Sequence, residues 1–172
     1  TDSDGVLLVE IARKAVTEFL SNGNRIKLEA DLEKKFSFNS GVFVTLNNSD
    51  GLRGCIGFLM PEKKLSYAIV DGAIAAATED PRFSPVNIKE LDDIVFEVTV
   101  LTPPVEIDVS DPVEYLTKIK VGRDGLIVRH SFSSGLLLPQ VPVEYGWNVE
   151  EFLQHTCEKA GLARDIWKNE DV

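Results

Sequence analysis

Cysteine is scarce in this chain: Cys55 and Cys157 are the only two in 172 residues. Two are too few for a disulfide framework, so the fold must rest on its core. Histidine is equally scarce, with His130 and His155 alone. Neither stands at metal-ligand spacing from another ligand, and "HTC" is not a zinc motif, so no metal is expected. No apolar run reaches the length of a membrane span, and no basic-then-apolar leader opens the sequence. These absences point to a cytoplasmic, reducing address and to no membrane partner. Basic charge is also short: 18 Lys and Arg stand against 28 Asp and Glu, a net charge of -10. Such an acidic balance weighs against nucleic acid as a partner, because phosphate neutralisation supplies most of that affinity. There is no internal repeat and no low-complexity segment. "GRDG" near Gly122 lacks the glycine pattern of a dinucleotide or P-loop site and reads as a turn.

What is present is ordinary globular composition, 44% hydrophobic and 27% charged. At this length a chain buries about 70% of its unfolded surface, enough for a core without staples. Apolar residues from Val6 to Leu20 recur at helical spacing, with Asp4 as N-cap and Gly23 as the stop. "GVFVTL" (Gly41 to Leu46) and "LRGCIGFL" read as strands joined by the "NNSDG" turn. Pro61 is placed to open a helix whose face is mostly small residues and which stops before Pro81. "DPRFSPV" is a proline-bounded loop, and Ile94 to Leu101 a strand. Asp111 and Pro112 start a short helix, with Glu114 at capping-box spacing. "IKV", "LIVRH" and "LLLPQ" read as short strands. A last helix follows from Val149, with Asn148 and Glu151 at capping-box spacing. Hairpins with helices inserted between them predict an α+β fold around a mainly antiparallel sheet. Pro103 and Pro104 mark a candidate division into two unequal lobes.

One stretch asks for a chemical reason. "LRGCIG" places glycines inside an otherwise apolar strand, where they weaken it. Alternation puts Arg53, Cys55 and Gly57 on one face and Leu52, Gly54, Ile56 and Phe58 on the other. A guanidinium near a thiol favours the reactive thiolate, and a glycine beside it would leave an open floor for a ligand. Against this stands the bland reading, in which Cys55 is a small buried hydrophobe. "EDPRF" adds Asp80 and Arg82: Arg82 could join Arg53 as an anion clamp, with Asp80 orienting one of them. Gln140 and Glu144 are polar groups held by Pro139 and Pro142. Cys157 lies on the inward stripe of the last helix and reads as core, and His155 lies off that stripe.

"LRGCIG", "DPRF", "VGRDGLIV" and "LLLPQVPVE" followed by a tryptophan resemble the AMMECR family, named for a human chromosomal region linked to Alport syndrome, midface hypoplasia and elliptocytosis. The resemblance runs from about Gly5 to Trp167, and treats residues 1–172 as a single AMMECR domain. It implies an α+β protein of two lobes meeting at a cleft. It supplies no established reaction and leaves any cofactor open. It places the functional centre on Arg53, Gly54, Cys55 and Gly57; Asp80, Arg82 and Gln140 are additions from the residues themselves. By association it points to Memo-like and radical-SAM proteins as partners in a shared pathway. The expectation is an enzyme or small-ligand-binding protein in which Cys55 and Arg53 are catalytic and Gly54, Gly57, Asp80, Arg82 and Gln140 bind. The alternative is a non-catalytic adaptor for another protein.

Overall fold

The computed structural model describes residues 1–169. The chain divides into two compact units, Thr1–Pro103 and a second that begins at Pro104. Both combine helices with antiparallel strands, an α+β architecture.

In the first unit, α1 (Asp2–Asn22) and the short α2 (Ala30–Lys35) precede β1 (Gly41–Asn48), β2 (Gly51–Phe58), α3 (Leu65–Thr78) and β3 (Val95–Leu101). The sheet order is β2-β1-β3, antiparallel throughout. α1 begins earlier than the periodicity suggests: Thr1 is the N-cap, and Asp4 is the third helical residue of a capping box. Gly23 ends it in the left-handed conformation that glycine adopts without penalty. The core forms where Ile11, Ala15 and Val16 of α1 meet Ile69 and Ala73 of α3 and Val42, Val44 and Leu46 of β1. α3 is buried almost all round, as expected of a helix with apolar residues on every side.

Pro61 does not open α3. The helix begins at Leu65, because its first free backbone donors have other partners: Leu65 N donates to Phe38 O at 2.8 Å and Ser66 N to Phe36 O at 2.9 Å. The 36–39 segment, unread from sequence, is what fixes that start. After α3 the chain turns at Asp80, and Val86 N donates to Ala77 O at 2.7 Å. A 3-10 helix, Ile88–Asp93, follows, with Asn87 and Glu90 as a capping box. Arg13 on α1 donates to Leu91 O and Ile94 O at 3.0 and 2.6 Å and lies over the Phe96 ring.

The second unit contains α4 (Tyr115–Lys118), the hairpin β4 (Leu126–His130) and β5 (Ser133–Leu137), α5 (Gln140–Glu144) and α6 (Val149–Lys159). Its core gathers Ile119, Leu126, Val128, Phe152, Leu153, Cys157 and Trp167. Asp111 caps a 3-10 turn at Pro112–Glu114, and Asn148 and Glu151 form the capping box of α6. Two sequence expectations fail here. "IKV" follows α4 as its C-cap, Ile119, and the approach to a turn at Val121, not a strand. "LLLPQ" is divided: the strand stops at Leu137 and Gln140 starts a helix. Pro142 does not break α5 because it lies in the first turn, where its missing N–H is not needed.

Candidate functional site

The site begins with an irregularity in the β1–β2 hairpin. Leu46 pairs with Gly54 but Asn47 pairs with Leu52, so Arg53 is the extra residue of a β-bulge. Counting back from the turn without a bulge would set Thr45 opposite Gly54. The bulge sets Thr45 opposite Cys55 instead, and Thr45 Oγ1 donates to Cys55 Sγ at 3.2 Å. It also leaves Leu52 opposite Asn47 and exposed, not on the core face that simple alternation gives it. The Cys55 side chain is half-buried.

The edge of β2 is closed by the loop after α3. The Cys55 backbone N–H donates to Asp80 Oδ2 at 2.8 Å. Asp80 is buried, and the rest of its carboxylate is turned to Arg82. It accepts from the Arg82 backbone N–H at 3.1 Å and from Nε and Nη2 at 3.0 and 2.7 Å. The two parallel guanidinium bonds make this a fork-to-fork pair, the strong form of the interaction. They hold the Asp80 carboxyl well below the usual carboxylate range, helped by the Cys55 and Arg82 backbone donors and opposed by burial. Arg82 is pushed up in turn by the Asp80 bonds, against the opposing effect of burial. The Arg82 side chain is 55% exposed, and its Nη1 edge has no hydrogen bond among the described residues.

Arg53 is placed differently from expectation. Its Nε and Nη2 donate to the Glu90 carboxylate at 2.8 and 3.2 Å, and Nη1 donates to Ser84 O at 2.9 Å. Only 12% of the side chain is exposed. Arg53 therefore clamps the 84–90 segment to the bulge, and holds the Glu90 carboxyl below its ordinary value. Arg82, not Arg53, shares a partner with Cys55, through the Asp80 carboxylate. The glycines also have a packing cause. A Cβ at Gly54 would lie 2.1 Å from Ala76 O on α3. One at Gly57 would lie 2.2 Å from Val42 O and 2.5 Å from Phe43 Cγ. The open floor predicted beside the thiol is occupied by Phe43.

Thr45 and Glu90 are the site residues that sequence reasoning passed over. The spacing of Asn87 and Glu90 was a legible capping signal; the pairing of Glu90 with Arg53 was not. Gln140 lies in the second unit, exposed at the first residue of α5. In that unit Cys157 is buried, and burial pushes its thiol up. His155 stacks on Trp147 with centroids 3.9 Å apart, and its Nδ1 lies 2.7 Å from Glu158 Oε2. Among the described residues no group of three His, Cys, Asp or Glu could hold a metal ion, and no helix is long and apolar enough to cross a membrane.

The AMMECR1 family profile matches residues 9–172. Protein PYRAB00100 of Pyrococcus abyssi is 51% identical over 176 residues, which cover 99% of this chain and 85% of that protein. Protein MJ0810 of Methanocaldococcus jannaschii is 51% identical over 174 residues, covering 100% of this chain and 86% of that protein. The crystal structure of uncharacterized protein PH0010 from Pyrococcus horikoshii superposes with a TM-score of 0.91 at 51% identity, covering 97% of this chain and 84% of that one.

Proposed function

The chain belongs to the AMMECR1 family, and from that premise we propose that it works through Cys55, Asp80 and Arg82. In this reading Arg82 binds a small anionic ligand and Cys55 presents its thiol to it, as an enzyme or as a ligand-binding protein. One observation carries the reading. A single buried carboxylate, Asp80, holds both the backbone N–H of the cysteine and the fork of a half-exposed arginine. The same guanidinium lies over the Phe83 ring, 5.4 Å from its centroid, and 55% of the side chain stays open to solvent. Arg53 acts as a positioning residue through Glu90 and the 84–90 segment. Gly54 and Gly57 act by letting β2 approach α3 and β1. The adaptor reading, with a partner resting on the glycine strand, has less support, because protein atoms already occupy the space above both glycines. A reducing cytoplasm would keep Cys55 a thiol, and Memo-like or radical-SAM proteins are candidate partners in supplying or using the ligand.

Alkylation tests this directly. Iodoacetate is anionic and iodoacetamide is neutral, and Cys157 is buried and serves as an internal control. Cys55 should react with iodoacetate faster, relative to iodoacetamide, than free cysteine does. Arg82→Ala should lower that preference several-fold. A preference equal to that of free cysteine, or one unchanged in Arg82→Ala, would remove the anion site.

A further inference from the structure

The register that sets Thr45 opposite Cys55 continues into the third strand. On its other side Thr45 lies opposite Glu97 of β3, with no irregularity between β1 and β3. Residues directly opposite one another share a face of the sheet. Cys55, Thr45 and Glu97 therefore form one row across three strands, on the face away from the core that holds Val44, Leu46 and Phe96. The Thr45 hydroxyl joins the row to the thiol through its 3.2 Å bond to Cys55 Sγ. Glu97, at the far end, is exposed.

Charge sets Glu97 apart. The three strands carry only two charged residues, Arg53 and Glu97. Arg53 is turned to Glu90, whereas Glu97 has no hydrogen bond or ion pair among the described residues. The other carboxylates of the site, Asp80 and Glu90, are each paired with an arginine. Position sets it apart as well. The Cys55 N–H donates to Asp80 at the outer edge of β2, so the Asp80–Arg82 pair lies on the side of the thiol away from β1. Glu97 lies on the opposite side, beyond β1. The row thus has a half-exposed cation at one end, a carboxylate without a partner at the other, and a thiol and a hydroxyl between them.

Adjacent strands lie about 4.8 Å apart, which separates the backbones at Cys55 and Glu97 by about 10 Å. The two charges of an α-amino acid are too close together to reach both ends. An extended peptide rises about 3.3–3.6 Å per residue, so three residues span about that length. We propose that the ligand of this site is an extended zwitterion of tripeptide length, with its anionic end on Arg82, its ammonium end at Glu97 and its middle across Cys55 and Thr45. This ligand presupposes the Arg82 anion site proposed above, to which Glu97 adds a second charge and a length. A lone charge on an edge strand also discourages edge-to-edge pairing, so the experiment reads ligand selectivity and not solubility.

Protection of Cys55 from iodoacetamide at constant ionic strength is the test, read by mass spectrometry with Cys157 as the internal control. The probes are triglycine, N-acetyltriglycine, which keeps the carboxylate and loses the ammonium, and glycine, which keeps both charges and loses the length. Triglycine should protect at a concentration about two- to fivefold lower than N-acetyltriglycine does, the range of an exposed ion pair. Glycine should protect less than either. Glu97→Gln should erase the gap between the two tripeptides and leave the preference for iodoacetate over iodoacetamide intact. Arg82→Ala should weaken protection by both tripeptides. Equal protection by the two tripeptides in the wild type would overturn the proposal, as would a gap that survives in Glu97→Gln or an absence of protection by triglycine. Where the iodoacetate preference persists through such a result, only the ammonium end falls. Where that preference is absent too, the Arg82 anion site falls with it.

Discussion

Asp80 is a small residue with four hydrogen bonds to satisfy and little water to help. Three go to Arg82 and one to the backbone of Cys55. Its folded value lies below the ordinary 3.8, so the sign of the pH dependence is fixed. A carboxyl with a depressed folded value adds stability that is fully present above the unfolded value and is lost as pH falls through the folded one. Glu90 acts in the same direction, held down by Arg53 first and the Asn87 backbone second, though at 38% exposure it contributes less. Acid unfolding should therefore steepen below the ordinary carboxylate range. Asp80→Asn keeps the size but not the charge, and should cost roughly 1.5–3 kcal/mol at neutral pH. Its stability should also fall less steeply in acid than the wild type's. Urea titrations at neutral and acid pH measure both; equal acid slopes in the two proteins would contradict the assignment. That Asp80 and Arg82 belong together was legible, because two residues apart in a tight loop they must be neighbours. That Asp80 also holds the strand bearing Cys55 was not, since that bond spans 25 residues.

The elements that local rules govern were readable. The hairpin, the capping box of α6 and the glycine stop of α1 each depend on residues within a few positions of one another. What escaped was decided at a distance. The start of α3 is set by carbonyls of Phe36 and Phe38, and the bulge at Arg53 by the clamp on Glu90, Ser84 and Pro85. The glycines of β2 belong to this class. Their presence was noticed from sequence, but their cause is the close approach of α3 and β1, which no local pattern announces. A methyl group at Gly54 would meet a helix carbonyl at 2.1 Å, and backbone cannot swing aside as a side chain does. Gly54→Ala should therefore separate β2 from α3 and destabilise the fold by about 1–3 kcal/mol. Gly72→Ala is the control. Its added carbon would find Val44 Cγ2 at 3.6 Å, an ordinary contact, and helix propensity favours alanine. Thermal melting should show Gly54→Ala well below the wild type and Gly72→Ala at or above it. The reverse order would mean that packing is not why glycine stands in this strand.

At the scale of the molecule, two separate cores organise the chain, one around α1, α3 and the three-stranded sheet, the other around α6 and the β4–β5 hairpin. The whole Cys55–Asp80–Arg82–Arg53 network lies within the first. Between β3 and the cap at Asp111 the backbone carries no regular structure, and residues 102–106 are exposed. Pro103 and Pro104 stiffen this stretch without anchoring it, and Val105 is 85% exposed. Ile107, by contrast, packs against the second core. A protease needs an extended, unanchored backbone, and it finds one in this connection before it finds one inside either unit. Glutamyl endopeptidase under native conditions should therefore cut first after Glu106. Mass spectrometry should recover two fragments that meet at that bond. If both cores hold, the larger fragment should keep the helical circular dichroism of α1 and α3 and its alkylation preference at Cys55. An early cut inside α1 or α3 would mean that the first core opens more readily than the connection, and the site built on it would lose its rigid support.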